Sequence, residues 1–255
     1  HLVARRANYK KDNLEAPEII YNPDLKEYYL FVSYDPLMTT YNVRVGRSDK
    51  AEGPFIDYFG KELKDTTNNF PILTAPYRFK NHPGWAGTAH CAVFTSDDGQ
   101  YFMAHQGRLS PQNQMMDLHV RQVFFTKDGW PVVSPERYAG SNPREFSAAD
   151  LVGEWEIIRV QEPLYERKLE AGQILWGEGE LQDEEWNMSH LLYLEKDGKL
   201  GKDKGTWDFA KEDQSLQLTL NGEVVKNLIV FAGHDWENET ETVLFTGLDS
   251  RGRSV

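Results

Sequence analysis

The sequence predicts an all-β chain in two parts, blades of a β-propeller followed by a small antiparallel β-barrel. Three observations predict it. A strand–turn–strand unit recurs in the first half of the chain. Short strands separated by Asp-Gly and Asn-Gly turns fill the second half. The composition, with 13% aromatic residues, 20 glycines and 12 prolines, suits a β-rich fold with many tight turns.

The repeat carries the propeller reading. Ala16-Pro17-Glu18-Ile19-Ile20-Tyr21-Asn22-Pro23, then Glu27-Tyr28-Tyr29-Leu30-Phe31-Val32-Ser33, forms one copy. Ala89-His90-Cys91-Ala92-Val93-Phe94-Thr95-Ser96, then Gln100-Tyr101-Phe102-Met103-Ala104-His105-Gln106, forms the other. The copies align without a gap, residue 16 facing residue 89 and residue 27 facing residue 100. Each is a strand, a turn and an aromatic strand, and Asp98-Gly99 between apolar runs is a strong hairpin signal. A third strand follows in both, at Tyr41-Asn42-Val43-Arg44-Val45-Gly46-Arg47 and Leu118-His119-Val120-Arg121-Gln122-Val123-Phe124. A short fourth element closes each, at Gly53-Pro54-Phe55-Ile56 and Gly129-Trp130-Pro131-Val132-Val133. Four antiparallel strands repeated in tandem read as propeller blades. Two blades cannot close a ring that takes about four or more. Further blades are therefore expected upstream, with residues 2–8 as the outer remnant of the preceding one.

Residues 61–87 read as a long connection rich in Thr, Asn, Pro and Gly. Loops of such length are usually functional or rim structure. Trp85, at its end, offers a stacking surface for a sugar ring, and packing the loop down is its plain alternative. The turn-rich stretch Gly140-Ser141-Asn142-Pro143-Arg144 marks a boundary, with the propeller part at 1–145 and the barrel at 146–255. Strands of the barrel are expected at 151–160, 190–194, 205–209, 215–220, 224–231 and 242–247. Turns at Lys196-Asp197-Gly198 and Asn221-Gly222 join neighbours.

Charge excludes several function classes. A formal net charge of −12 leaves no basic patch for releasing counterions from a nucleic acid or for binding an anionic membrane. Uncharged ligands such as sugars remain compatible. The single cysteine, Cys91, excludes an intramolecular disulfide and a cysteine-based zinc site. No apolar run is long enough to span a bilayer as a helix.

Glu15 is the residue the first half is arranged around. Pro17 disfavours helix and biases Ala16 towards an extended conformation, so Glu15 should project from the start of a strand. A solvated loop acid is the bland alternative. Geometry argues for more. The first strand of each blade lines the central channel, and the gapless alignment puts Glu15 opposite Thr88 and Pro17 opposite His90. Glu15 and His90 are therefore expected close together. A lone histidine makes no zinc site, so a metal at His90 would be a weakly held hard cation completed by water.

The stretch Glu15-Ala16-Pro17-Glu18-Ile19-Ile20-Tyr21-Asn22-Pro23, with Tyr28-Tyr29-Leu30-Phe31-Val32-Ser33-Tyr34-Asp35, Tyr41–Ser48 and Gly53-Pro54-Phe55, resembles glycoside hydrolase family 43. The run from Val120 through Gly129-Trp130-Pro131-Val132-Val133-Ser134-Pro135-Glu136-Arg137-Tyr138-Ala139-Gly140 is similar to its endo-α-1,5-L-arabinanases, in the subgroup with an extra C-terminal barrel. The resemblance implies the C-terminal blades of a five-bladed propeller and hydrolysis with inversion. It carries the general acid onto Glu15 and a calcium-holding histidine onto His90, where Thr88-Ala89-His90-Cys91 stands for the family's Pro-Gly-His-Asn motif. Its two catalytic aspartates would lie in an N-terminal propeller segment outside this chain.

Inversion needs a protonated carboxyl on the leaving oxygen and a carboxylate about 6.5–9.5 Å away to activate water. This chain places no second acid at an equivalent inner position, so it should act only together with that segment. Arg44 and Arg108, on inner-blade strands, are candidate substrate contacts beside Trp85. The resemblance also implies arabinan or arabino-oligosaccharides as substrate and an extracellular location. An exo-acting arabinofuranosidase or β-xylosidase, and a non-catalytic saccharide-binding propeller, remain alternatives.

Overall fold

The structure is a computed structural model. It describes residues 2–5, 14–65, 68–112, 114–161, 181, 183–202 and 205–255. The described residues are all β apart from three short 3-10 turns.

The first blade is an antiparallel sheet of β1 (Leu14–Asn22), β2 (Glu27–Tyr34), β3 (Asn42–Ser48) and β4 (Ile72–Thr74), in that order. Two short strands follow, β5 (Tyr77–Arg78) and β6 (Trp85–Ala86). The second blade runs β7 (Ala92–Thr95), β8 (Tyr101–Leu109), β9 (Asp117–Phe125) and β10 (Pro131–Val133), antiparallel throughout. The β7–β8 turn is the one the Asp-Gly signal predicts, with Gly99 at φ 84°.

Three expectations need correction. Gly53–Ile56 is not a strand: Ile56 contributes isolated antiparallel bridges to Arg47 and to Glu62. Pro54 lacks the N–H that a ladder needs, and the outer place on β3 goes to β4, where Leu73 and Ile72 are buried. The 61–87 connection is not all loop, since β4, β5 and β6 lie within it. Residues 2–5 carry no strand. They pack instead through Val3 and Ala4 on Leu30, Val32 and Leu63, and Arg5 donates to the Leu63 and Lys64 carbonyls. Residues 6–8 lie outside the described set.

Side chains of alternate strand positions meet between the blades. Tyr29, Phe31, Tyr41, Val43 and Val45 of the first blade share one core with Cys91, Val93, Met103 and Val123 of the second. Each such side chain contributes about 1.5–3 kcal/mol on burial, and together they fix the two inner strands side by side.

The barrel contains β11 (Gly153–Ile157), β12 (Asn187–Met188), β13 (His190–Leu194), β14 (Gly205–Ala210), β15 (Ser215–Leu220), β16 (Glu223–Asp235) and β17 (Thr240–Thr246). β11 pairs with β13, and β14-β15-β16-β17 form an antiparallel meander. Asn221 (φ 50°) and Gly222 (φ 84°) both take the positive φ that a tight two-residue hairpin turn requires. Leu216, Leu218, Leu228, Val230 and Phe245 fill the interior with Phe146, Leu151 and Leu194. Several polar contacts tie barrel to propeller. β12 pairs in parallel with β5. Thr246 Oγ1 donates to the Val133 carbonyl at 2.9 Å and Ser254 Oγ to the Ile72 carbonyl at 2.7 Å.

Candidate active site

Glu15 sits on β1 facing Ser33 of β2, immediately before a bulge between Glu15 and Glu18. Ala16 is not extended as Pro17 suggests. Its φ is 50°, because the bulge turns the chain there. His90, just ahead of β7, has φ 57°. Non-glycine residues at positive φ are uncommon, and such strain gathers at functional sites. Here one flanks the acid and the other is the imidazole itself.

The two side chains meet as the repeat geometry predicts. Glu15 Oε2 lies 3.9 Å from His90 Nδ1, with the side chains 46% and 57% exposed respectively. The Tyr41 hydroxyl lies 3.4 Å from the same nitrogen. His90 N–H donates to Ser33 Oγ at 2.9 Å, pinning the imidazole backbone to β2. Tyr41 is wholly buried. Burial, then its hydrogen bond to Glu15 and that residue's charge, raise its phenol far above the ordinary value. The phenol therefore stays a donor towards the carboxylate. Beside the pair opens a cleft of about 640 Å³, lined in part by Glu18, His90, His105, Gln106, Met116 and Leu118.

Behind the cleft lies a buried polar layer. Arg121 Nε donates to His105 Nε2 at 3.0 Å, and its guanidinium also donates to the Ser134 carbonyl and the Tyr77 hydroxyl. His105 Nδ1 lies 2.7 Å from the Gln106 carbonyl, so with Nε2 accepting it is the Nδ1–H tautomer. Burial and then the Arg121 charge lower His105 to about 3 and His119 to about 2. Both rings are neutral at physiological pH.

Three expected substrate contacts turn inward instead. Arg44 is fully buried, donating to Asn42 Oδ1 at 2.9 Å, with Asp35 at 3.6 Å and the Tyr34 ring 4.7 Å beneath it. Trp85 is 5% exposed, its ring packed edge-on against His119 at 4.4 Å and under Arg137 at 5.2 Å. No open face is left for a sugar. Arg108 is 3% exposed and holds the β8–β9 loop by donating to the Gln114 carbonyl at 3.0 Å. All three side chains are buried. Tyr41 and Ser33 are the site residues that sequence reasoning misses. The signal that finds them is β1–β2 register, which sets Ser33 opposite Glu15 once the strands are paired.

Around His90, no group of three acidic, histidine or cysteine side chains converges among the described residues. A cation there would have one imidazole ligand, Nδ1 or Nε2, with water completing its shell. Its half-open position fits a weakly held ion.

Comparison with known proteins places this arrangement. Residues 6–131 match the sequence model of Glycosyl hydrolases family 43, and residues 135–255 match that family's C-terminal lipocalin-like domain. The chain belongs to glycosyl hydrolase family 43. It is 31% identical to extracellular endo-α-(1→5)-L-arabinanase 2 of Bacillus subtilis, over 57% of this chain and 35% of that protein. Against extracellular endo-α-(1→5)-L-arabinanase of Thermotoga petrophila it is 25% identical, over 95% of this chain and 52% of the relative. The crystal structure of endo-1,5-α-L-arabinanase from Thermotoga petrophila superposes with a TM-score of 0.77 at 24% identity, covering 94% of this chain and 54% of that one. That likeness shows the fold, propeller blades followed by a barrel. The chain thus spans about a third to a half of the curated relatives it matches.

Proposed function

We propose that the protein is an endo-acting, inverting hydrolase of α-1,5-L-arabinan in which Glu15 is the general acid. The observation that supports this most is the meeting of Glu15, His90 and Tyr41 at the start of two adjacent inner strands, in a chain whose relatives are named arabinanases. Glu15 would give its proton to the leaving glycosidic oxygen. The Tyr41 phenol, kept protonated, then donates to the carboxylate left behind. That hydrogen bond offsets part of the new charge.

The base that activates water is an aspartate on N-terminal blades of a five-bladed propeller, as is the aspartate that orients the acid. The relatives' greater length accommodates such blades. Exposed apolar side chains support a covering segment. Phe94, Leu118, Met115 and Met116 of the second blade are between 46% and 76% exposed, and Ile19 and Tyr21 of the first are 45% and 46%. Patches of this kind mark interaction surfaces. His90 would hold a calcium ion largely through water, and bound there the ion supplies positive charge beside the acid. The extracellular location follows the relatives, which are named extracellular.

The product pattern of the complete protein on linear α-1,5-arabinan tests the reading. Endo action gives a mixture of arabino-oligosaccharides from the earliest times. Arabinose alone would assign exo action, and binding without cleavage would assign a saccharide-binding propeller.

A further inference from the structure

The hairpin joining β16 to β17 rests on the rim of the second blade. Trp236 at its turn donates Nε1–H to the Arg137 carbonyl at 2.9 Å and stacks on the Arg137 guanidinium at 4.8 Å. Flanking it in sequence, Asp235 and Glu237 face Glu136 from the blade. One carboxylate oxygen from each of the three lies within 4.8 Å of the others. Glu136 is 4% exposed, and its Oε2 has no hydrogen-bond partner among the described residues. Burial, and then the neighbouring Glu237 charge, lift its carboxyl well above the ordinary range.

Like charges this close need an opposite charge. Among the described residues, only His82 comes within ion-pair distance, its Nε2 3.9 Å from Glu237 Oε1. That imidazole is charged only when protonated, so it is no permanent counterion. Arg121 acts on Glu136 only at longer range, its donors being committed to His105, Tyr77 and two carbonyls. Lys80 lines the same cavity of about 380 Å³, but it is exposed and in no ion pair with the trio. Asp235 is already oriented, accepting from Asn238 N–H at 2.9 Å and Asn238 Nδ2 at 2.8 Å.

We propose that Glu136, Asp235 and Glu237 form a divalent-cation site that staples the barrel hairpin to the propeller rim. An all-carboxylate set, with room for water, suits a hard ion of the calcium class over zinc. The site is separate from any ion at His90 and does not depend on the reaction catalysed. Its alternative occupant is a proton shared between Glu136 and Glu237.

The test uses the complete protein carrying His90→Ala, stripped of metal and titrated with terbium under tryptophan excitation, since Trp236 adjoins two of the three ligands. Saturable sensitised emission at one equivalent, displaced by calcium and weakened at least about tenfold by Glu136→Gln, is expected. Calcium at about a hundred times its dissociation constant should also raise the melting temperature by roughly 5–10 °C, a rise that Glu136→Gln abolishes. Should that variant not fold, Asp235→Asn on the hairpin gives the same comparison. Emission unaffected by either substitution, or a melting temperature indifferent to calcium, would overturn the site in favour of the shared proton.

Discussion

Glu15 and Glu136 are both carboxylates on propeller blades, and their surroundings divide the molecule into two kinds of polar site. Glu15 is half open, 3.9 Å from a similarly open imidazole, and beside it a buried phenol is held as a donor. Glu136 is 4% exposed and adjoins the buried layer of Arg121, His105, His119 and Tyr77. The first arrangement leaves a carboxyl accessible to a ligand at small structural cost. The second commits its groups to holding blade, loop and barrel together. Residues at the open pair should therefore govern turnover, and residues of the buried layer should govern stability.

Breaking the buried layer should have the largest effect on stability. Arg121→Ala leaves His105, Tyr77 and the Ser134 carbonyl without their donor. Its cost should be about 3–5 kcal/mol, measured by denaturant unfolding. Acid should act next on the same layer. His105 and His119 are depressed to about 3 and about 2 in the fold, against about 6.5 when unfolded. Their contribution is complete above the unfolded value and is lost as pH falls from there towards the folded values. By pH 5 each should have cost about 2 kcal/mol, at 1.4 kcal/mol per pH unit. Glu136, raised in the fold, works in the opposite sense and offsets part of the loss. His119→Leu should therefore flatten the slope of stability between pH 7 and 5, and an unchanged slope would remove His119 from the account.

Tyr41→Phe sharpens the other side of the comparison. Losing one hydrogen bond to a charged group is worth about 1.5–3 kcal/mol. Arabinan turnover should fall about tenfold or more, while the melting temperature moves little because the ring remains packed. The smallest effect is the stability change for Glu15→Gln, expected within about 0.5 kcal/mol because the side chain is half exposed. A large stability loss there would mean that Glu15 belongs with Glu136 after all.

The two sites also differ in how far sequence reasoning reaches them. The Glu15–His90 approach is legible because a gapless repeat makes inner strands equivalent, and equivalent strands of neighbouring blades converge. Barrel strands are equally legible: Ser215–Leu220 and His190–Leu194 alternate, and Asn221-Gly222 sets its hairpin. Local backbone exceptions are less so. Pro17 points to an extended Ala16, whereas the bulge imposes a φ of 50°. Burial of Arg44, Trp85 and Arg108 depends on what packs over them, and their residue types suit a binding surface equally well. The carboxylate trio is the least legible. It joins segments about a hundred residues apart, brought together by docking of the hairpin that carries Trp236 onto Arg137.

The most direct test of the central claim is the turnover of Glu15→Gln on polymeric arabinan, measured beside the unsubstituted protein with both shown to be folded. Loss of at least about 10²-fold in kcat, with KM little changed, is the predicted result for a general acid. Turnover near that of the unsubstituted protein would contradict the assignment of Glu15 and, with it, the reading of the inner-strand pair as the catalytic centre.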